Sequence, residues 1–304
     1  MRLKFREPNS PMLAQQLVNG LVLGSTYALF ALGFTLIFGV LNVLNLTYGF
    51  YFSVGAFAAL WAAKTLGSPL WLALPIGAVF SGIVAMVIDT ALLTPLRRAK
   101  APELASLMVT LGATLFLYAG MTVVYGTEIR RFPPALLSGD ALVLGPIRIG
   151  DAQILIVSVT LVIVVALLAL IRGTRLGLAI RALAERPDTA QLMGINAGAI
   201  VLLVSFVSGA LGGAAGVLIG LNFNAIQPYM GEQMMLRGFA VIIIGGLGNI
   251  PGALVAGLLL GVIEVLTAGF VSSAAKDGVA FALLVLTLWF RPVGLFGRVA
   301  AKRA

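Results

Sequence analysis

The chain has 304 residues, 60% of them hydrophobic and only 10% charged, where soluble domains carry about 25% charge; water is therefore excluded as its main solvent. With no Cys and no His, disulfide frameworks, thiolate metal sites and the commonest general base are absent, so enzymatic readings start weak. A net charge of +9 would suit nucleic acid, but in a polytopic chain Lys and Arg mark the cytoplasmic loops.

Apolar runs near 20 residues long recur, each able to cross a hydrocarbon core about 30 Å thick. The expectation is an all-α polytopic integral membrane protein with about eight to ten transmembrane segments, including two broken or short-helix regions. The first run, Leu13 to Phe38, exceeds a signal-peptide core of roughly 7–15 residues and leads to no small-residue cleavage site, so it is expected to stay. Candidate spans fall near 13–34, 70–93, 104–125, 152–171, 198–221 and 278–290, with Gly/Asn/Pro-interrupted regions at 35–66 and 236–270. If each interrupted region is two short helices the count is ten, and both termini share one side. Placing that side in the cytoplasm puts fourteen of twenty basic residues there: Arg2, Lys4, Arg6, and the groups at 97–100, 172–186 and 291–303. Lys64, Arg130, Arg131, Arg148 and Lys276 fall outside, and Arg237 near a membrane edge. The asymmetry fits the positive-inside rule without nucleic acid. Polar stretches at 126–151 and 172–197 are too short for separate soluble domains, which leaves one membrane domain over 1–304.

Gly33-Phe34-Thr35-Leu36-Ile37-Phe38-Gly39 resembles Gly238-Phe239-Ala240-Val241-Ile242-Ile243-Ile244-Gly245, each followed by Asn, Gly and a second apolar run. Unwound backbone is tolerated at membrane depth only where protein or a water-filled cavity satisfies it, so paired breaks point to a transport site. After the first break, Asn42, Asn45, Thr47, Tyr48 and Ser53 place polar groups in an apolar setting. They either satisfy the break or line a solute path, and the two roles are compatible. Asn222, Asn224 and Gln227 read as a solvated outer loop or as a gate.

The stretch from Arg172 to Asn196 carries Arg175, Arg181, Glu185, Arg186 and Asp188 around an apolar stripe. Two short amphipathic helices broken at Pro187 are expected, since Pro ends the first and suits the opening turn of the next. Such a loop could lie on lipid headgroups or dock a cytoplasmic partner. Its length favours docking, because a connector needs only about 2–8 residues. Gly212, Gly216 and Gly220, and again Gly257 and Gly261, recur every fourth residue, which lets another helix approach closely; internal packing is favoured over a subunit interface. Asp89 lies two turns before Arg97 and should pair with it at a membrane edge. Glu264 is deeper, and pairing with Arg237 is preferred to a proton relay, since no second acid or His extends one. No G-x-x-x-x-G-K-[ST] loop occurs, so P-loop ATP hydrolysis cannot belong to this chain.

Several ordered blocks resemble the branched-chain amino acid ABC permease family, in its LivH-like branch. They are LVNGLVLGSTYALFALGFTLIFGVLNVLNLTYGFYFSVGAFAA (17–59), TPLRRAKAPELASLMVTLGATL (94–115), GLAIRALAERPDTAQLMGIN (177–196), RGFAVIIIGGLGNIPGALVAGLLLGVIE (237–264) and RPVGLFG (291–297). One departure is Asp89-Thr90, where the family commonly has Glu-Arg. The resemblance implies a bacterial inner-membrane importer of branched-chain amino acids working by ATP-driven alternating access. Its parts would be this chain, a second, LivM-like permease, two cytoplasmic ATPases that hold ATP and magnesium, and a periplasmic solute-binding protein. It also implies that Arg181, Ala184, Glu185, Asp188, Ala190 and Gly194 form the loop that couples ATPase closure to the spans, and that this chain binds no cofactor. Urea, short amides or other amino acids are the alternative solutes, and a gradient-driven transporter or channel is the alternative class.

Overall fold

In hydrocarbon a backbone N–H has no water to fall back on, so an apolar segment becomes helical even through residues that would break it in solution. The computed structural model describes residues 10–41, 43–99, 101–133, 142–144 and 147–297, and they are helical almost throughout. In order they form α1 (Ser10–Leu41), α2 (Tyr48–Thr65), α3 (Leu70–Ile88), a π turn (Asp89–Leu93), α4 (Thr94–Arg98), α5 (Glu103–Tyr125), the strands β1 (Leu142–Leu144) and β2 (Ile147–Ile149), then α6 (Asp151–Gly173) and α7 (Arg175–Glu185). There follow α8 (Pro187–Leu192), α9 (Ala197–Phe223), α10 (Met230–Gly245), α11 (Ile250–Phe270) and α12 (Lys276–Phe290). The strands form one antiparallel hairpin, with Val143 opposite Arg148. Six stretches are long and apolar enough to cross a membrane: α1, α3 through α4, α5, α6, α9 and α11. The all-α polytopic expectation therefore holds.

The first interruption falls within the region expected for it. α1 continues through Gly33 and Gly39 to Leu41, so region 35–66 adds one further helix, α2, rather than two. α10 and α12, of 16 and 15 residues, are shorter than those six.

The contacts gather in two compact units, one made of residues 1–35, 138–161 and 236–304, the other of 36–137 and 162–235. In the first, α1 runs antiparallel to α11 along a glycine seam. A Cβ on Gly20 would meet the Val262 backbone, one on Gly24 that of Leu258, one on Gly257 that of Ala28, and one on Gly261 that of Gly24. Gly269, at the end of α11, faces Gln16, near the start of α1. Residues 291–297 lie instead at the start of α11: Leu295 N–H donates to the Ile244 carbonyl at 2.8 Å, and Asn249 Nδ2 to the Phe296 carbonyl at 2.6 Å. The opening of α1 and the segment after α12 thus sit at opposite ends of a helix about 31 Å long. The basic residues Arg2, Lys4, Arg6, Lys100, Arg298, Lys302 and Arg303 lie outside the described residues.

The second unit is built on α2, α3 and α9, again crossing at glycines. A Cβ on Gly216 would fall on the Phe52 carbonyl, and one on Gly55 on the Gly213 backbone; Gly212 faces the Tyr48 ring, and Gly220 faces Ile226 and Phe132. All five glycines singled out in the sequence are thus placed in packing within this chain. The Ser81 hydroxyl bridges the crossing, 2.7 Å from the Tyr51 carbonyl and 2.9 Å from that of Gly209.

Candidate coupling element and translocation segment

The loop at 172–196 folds as its pattern requires. Thr174 caps α7 by accepting from Gly177 N–H, Pro187 opens α8, and Asn196 caps α9 by accepting from Ala199 N–H. Gly194 takes a left-handed φ of +83°. Its neighbour Ile195 donates N–H to the Ala190 carbonyl at 3.1 Å, which closes α8 in a C-terminal motif that favours glycine.

Buried Ile180, Leu183 and Ala190 anchor the pair of helices. The opposite surface is mixed. Leu192 and Met193 are 88% and 80% exposed, Leu178 is exposed beside them, and Glu185, Arg186 and Asp188 are also exposed. Ala184 is half-buried. Arg181 differs from the rest of its group, because its Nη1 donates to the Ile171 carbonyl at 2.7 Å. It therefore ties α7 to the C-terminal end of α6, where a cation also complements the helix dipole. The remaining surface has the composition of a contact patch, apolar at its centre and charged around it.

The polar residues after the first break are buried and occupied with one another. Asn45 Oδ1 accepts from both the N–H and the hydroxyl of Thr47, and the Thr47 hydroxyl lies 2.9 Å from that of Tyr51. Ser53 Oγ accepts from Gly231 N–H at 3.1 Å, where the backbones of Gly49 and Gly231 meet too closely for a Cβ on either. Asn45, Thr47, Tyr48 and Ser53 are all 1% exposed or less. In this conformation they are buried and satisfy the break. Asn42 lies outside the described residues. Tyr51 was not anticipated, although its place four residues after Thr47, on one helical face, was the available signal.

At the turn between α9 and α10, Asn224 adopts a left-handed φ of 44° and its Oδ1 accepts from Phe132 N–H at 3.0 Å. This amide is thus a structural clasp. Asp89 is buried and holds Arg97 through two bonds, of 3.0 and 2.7 Å, with the Thr94 hydroxyl alongside. In the first unit, Glu264 Oε2 accepts from the Tyr27 hydroxyl at 2.8 Å while Oε1 lies 3.4 Å from Arg237 and 3.9 Å from Lys276. Arg237 also reaches Asp277 at 3.0 Å. A buried carboxylate held by two cations and a phenol is a paired charge, the state in which burial is tolerable. Tyr27, Lys276 and Asp277 carry no local sequence signal linking them to Glu264.

Six membrane-scale apolar helices, buried polar seals at their breaks and a two-helix element beyond the ends of two spans define a multi-pass membrane protein of the transport-permease class. Residues 16–288 match the family described as "Branched-chain amino acid transport system / permease component", and the chain belongs to that family. It is 34% identical over 301 residues to the high-affinity branched-chain amino acid transport system permease protein LivH of Salmonella typhimurium, covering 95% of this chain and 97% of that one. BraD of Pseudomonas aeruginosa, which bears the same description, is 34% identical over the same shares. A probable branched-chain amino acid transport permease protein, LivH of Methanocaldococcus jannaschii, is 30% identical over 92% of this chain and 91% of its own. No solved structure matches the chain.

Proposed function

We propose that this chain is the pathway subunit of an ATP-driven importer for branched-chain amino acids. It works with a second permease, two cytoplasmic ATPases that bind ATP and magnesium, and a solute-binding protein on the outer face of a bacterial inner membrane. The observation that carries this reading is the α7–α8 element, a rigidly capped pair of short helices that presents Leu178, Leu192 and Met193 to the surface. Seated in an ATPase cleft, it would turn closure of the ATPases into rocking of the spans and so into alternating access. Glu185, Asp188 and the patch at 192–193 make the contact; Arg181 and Gly194 hold its shape, and Ala184 and Ala190 its packing. Hydrolysis stays with the partners, and this chain itself is not an enzyme.

The same reading puts the coupling element at the cytoplasmic ends of α6 and α9. In such a frame the seals at Asn45, Thr47 and Ser53 mark a closed state of the path, opened when the spans rock.

The test is reconstitution of the full complex in liposomes. Leucine, isoleucine or valine with the binding protein should stimulate ATP hydrolysis, and Leu192→Asp with Met193→Asp should cut ATPase recovery by about tenfold or more, as expected for loss of an interface anchor. Uptake by this chain alone, driven by an ion gradient, would overturn the proposal.

A further inference from the structure

Within the second unit, α2 and α5 run side by side in the same direction. Phe50 meets Tyr118 with ring centroids 5.5 Å apart, and Phe57 meets Tyr125 at 4.6 Å. Together with α3 they border a half-open groove of about 610 Å³ whose walls include Phe50, Phe57, Ile76, Phe80, Phe116 and Met121. It extends about 14 Å along α5, from Phe116 to Tyr125. Gly120 borders it, and a Cβ there would meet nothing within 4 Å. Its apolar walls, with Phe80 and Phe116 52% and 77% exposed, gain dispersion contacts when hydrocarbon packs into the groove.

One end of the groove is charged. Trp61 and Tyr125 stand there, as amphipathic rings do at a membrane interface. Just beyond Tyr125, the main chain of Arg130 is pinned by two 2.8 Å bonds exchanged with Ile226. Its guanidinium donates to the Tyr125 carbonyl at 2.8 Å and lies over that ring, 5.6 Å from the centroid. Of its five N–H donors that bond uses one. Arg131 and Lys64 are exposed at the same end, against the single carboxylate of Glu128.

An apolar slot with a fixed guanidinium on its rim matches an amphiphile with an anionic head. A transmembrane helix of another subunit would fill the slot but bring no anion to Arg130. We propose that the slot holds one acyl chain of a membrane phospholipid whose phosphate is bound by Arg130, with Arg131 and Lys64 adding attraction. The lipid then splints α5 against α2 as an integral part of the protein.

The experiment is native mass spectrometry of the intact complex purified in mild detergent, with phospholipid quantified after extraction. The wild type should retain one phospholipid per copy that Gly120→Trp, which fills the slot, lacks. Arg130→Gln should weaken retention by about tenfold, as removal of a charge-assisted bond does, and should reduce its salt dependence. Equal retention in the wild type and Gly120→Trp would overturn the proposal. So would loss of the second permease from Gly120→Trp with lipid unchanged, which would make the slot a subunit seat. If Gly120→Trp fails to fold, Arg130→Gln decides, since it alters an exposed side chain: unchanged retention overturns the proposal.

Discussion

The breaks at 43–47 and 246–249 follow similar stretches of sequence and answer the same physical need, yet they are closed by different means. At the first, side chains do the work: the Asn45 amide and the Thr47 and Tyr51 hydroxyls bond one another inside the unit that holds them. At the second the backbone does it. Gly246 and Gly248 take left-handed φ of 97° and 78°, and residues 291–297 fold over the turn. Asn249 serves twice, its Oδ1 capping α11 at Gly252 N–H and its Nδ2 holding Phe296. A broken helix at membrane depth needs its polar groups satisfied, but not by any one chemistry. The first seal can be loosened by rotating side chains, whereas the second requires a segment of chain to leave.

That difference can be broken experimentally, and hydrogen exchange localised to each break is the common readout. The largest effect is expected from Gly246→Val. A left-handed valine costs about 1–2 kcal/mol or more, and its Cβ would strike the Gly297 backbone. Exchange at 246–249 should rise and the detergent melting temperature should drop sharply, while amides at 45–51 stay protected. Equal loss at both breaks would refute independent closure. Next comes Asn45→Ala, which strands the Thr47 N–H at a cost of about 1–3 kcal/mol and should deprotect 45–51 alone. Asn249→Ala should cost about 1 kcal/mol as a lost cap and should raise exchange in the first turn of α11. The smallest change belongs to Tyr51→Phe, about 1 kcal/mol or less, because Asn45 and Thr47 remain bonded. A larger loss than that from Asn45→Ala would make Tyr51 the centre of the seal.

The spans were legible because apolar length is a direct consequence of bilayer thickness, and the α7–α8 element was legible because Pro187 punctuates an amphipathic run. Whether the region 35–66 holds one bent element or two helices was not. In water Gly33 and Gly39 would each weaken a helix by about 1 kcal/mol. Hydrocarbon offers the backbone no alternative partner, so α1 runs on to Leu41. The bond from Arg181, a residue expected in the coupling loop, to the Ile171 carbonyl was not legible, since that carbonyl lies on the preceding helix, ten residues away. The cluster around Glu264 was half visible: Arg237 could be guessed from charge, but Tyr27 is 237 residues distant and only the fold brings it there.

The π turn at 89–93 has one more consequence, in terms of chain length. Asp89 and Arg97 are eight residues apart, which in a regular α-helix leaves them about 80° out of line. Thr94 N–H instead reaches the Asp89 carbonyl, five residues back, so the helix absorbs one residue and the pair faces as if seven apart. The turn is equivalent to a single-residue insertion carried within a continuous helix. A chain lacking one of residues 90–93 could keep the same carboxylate–guanidinium pair on an uninterrupted α-helix, so a gap here in a related sequence need not mean that the pair has been lost.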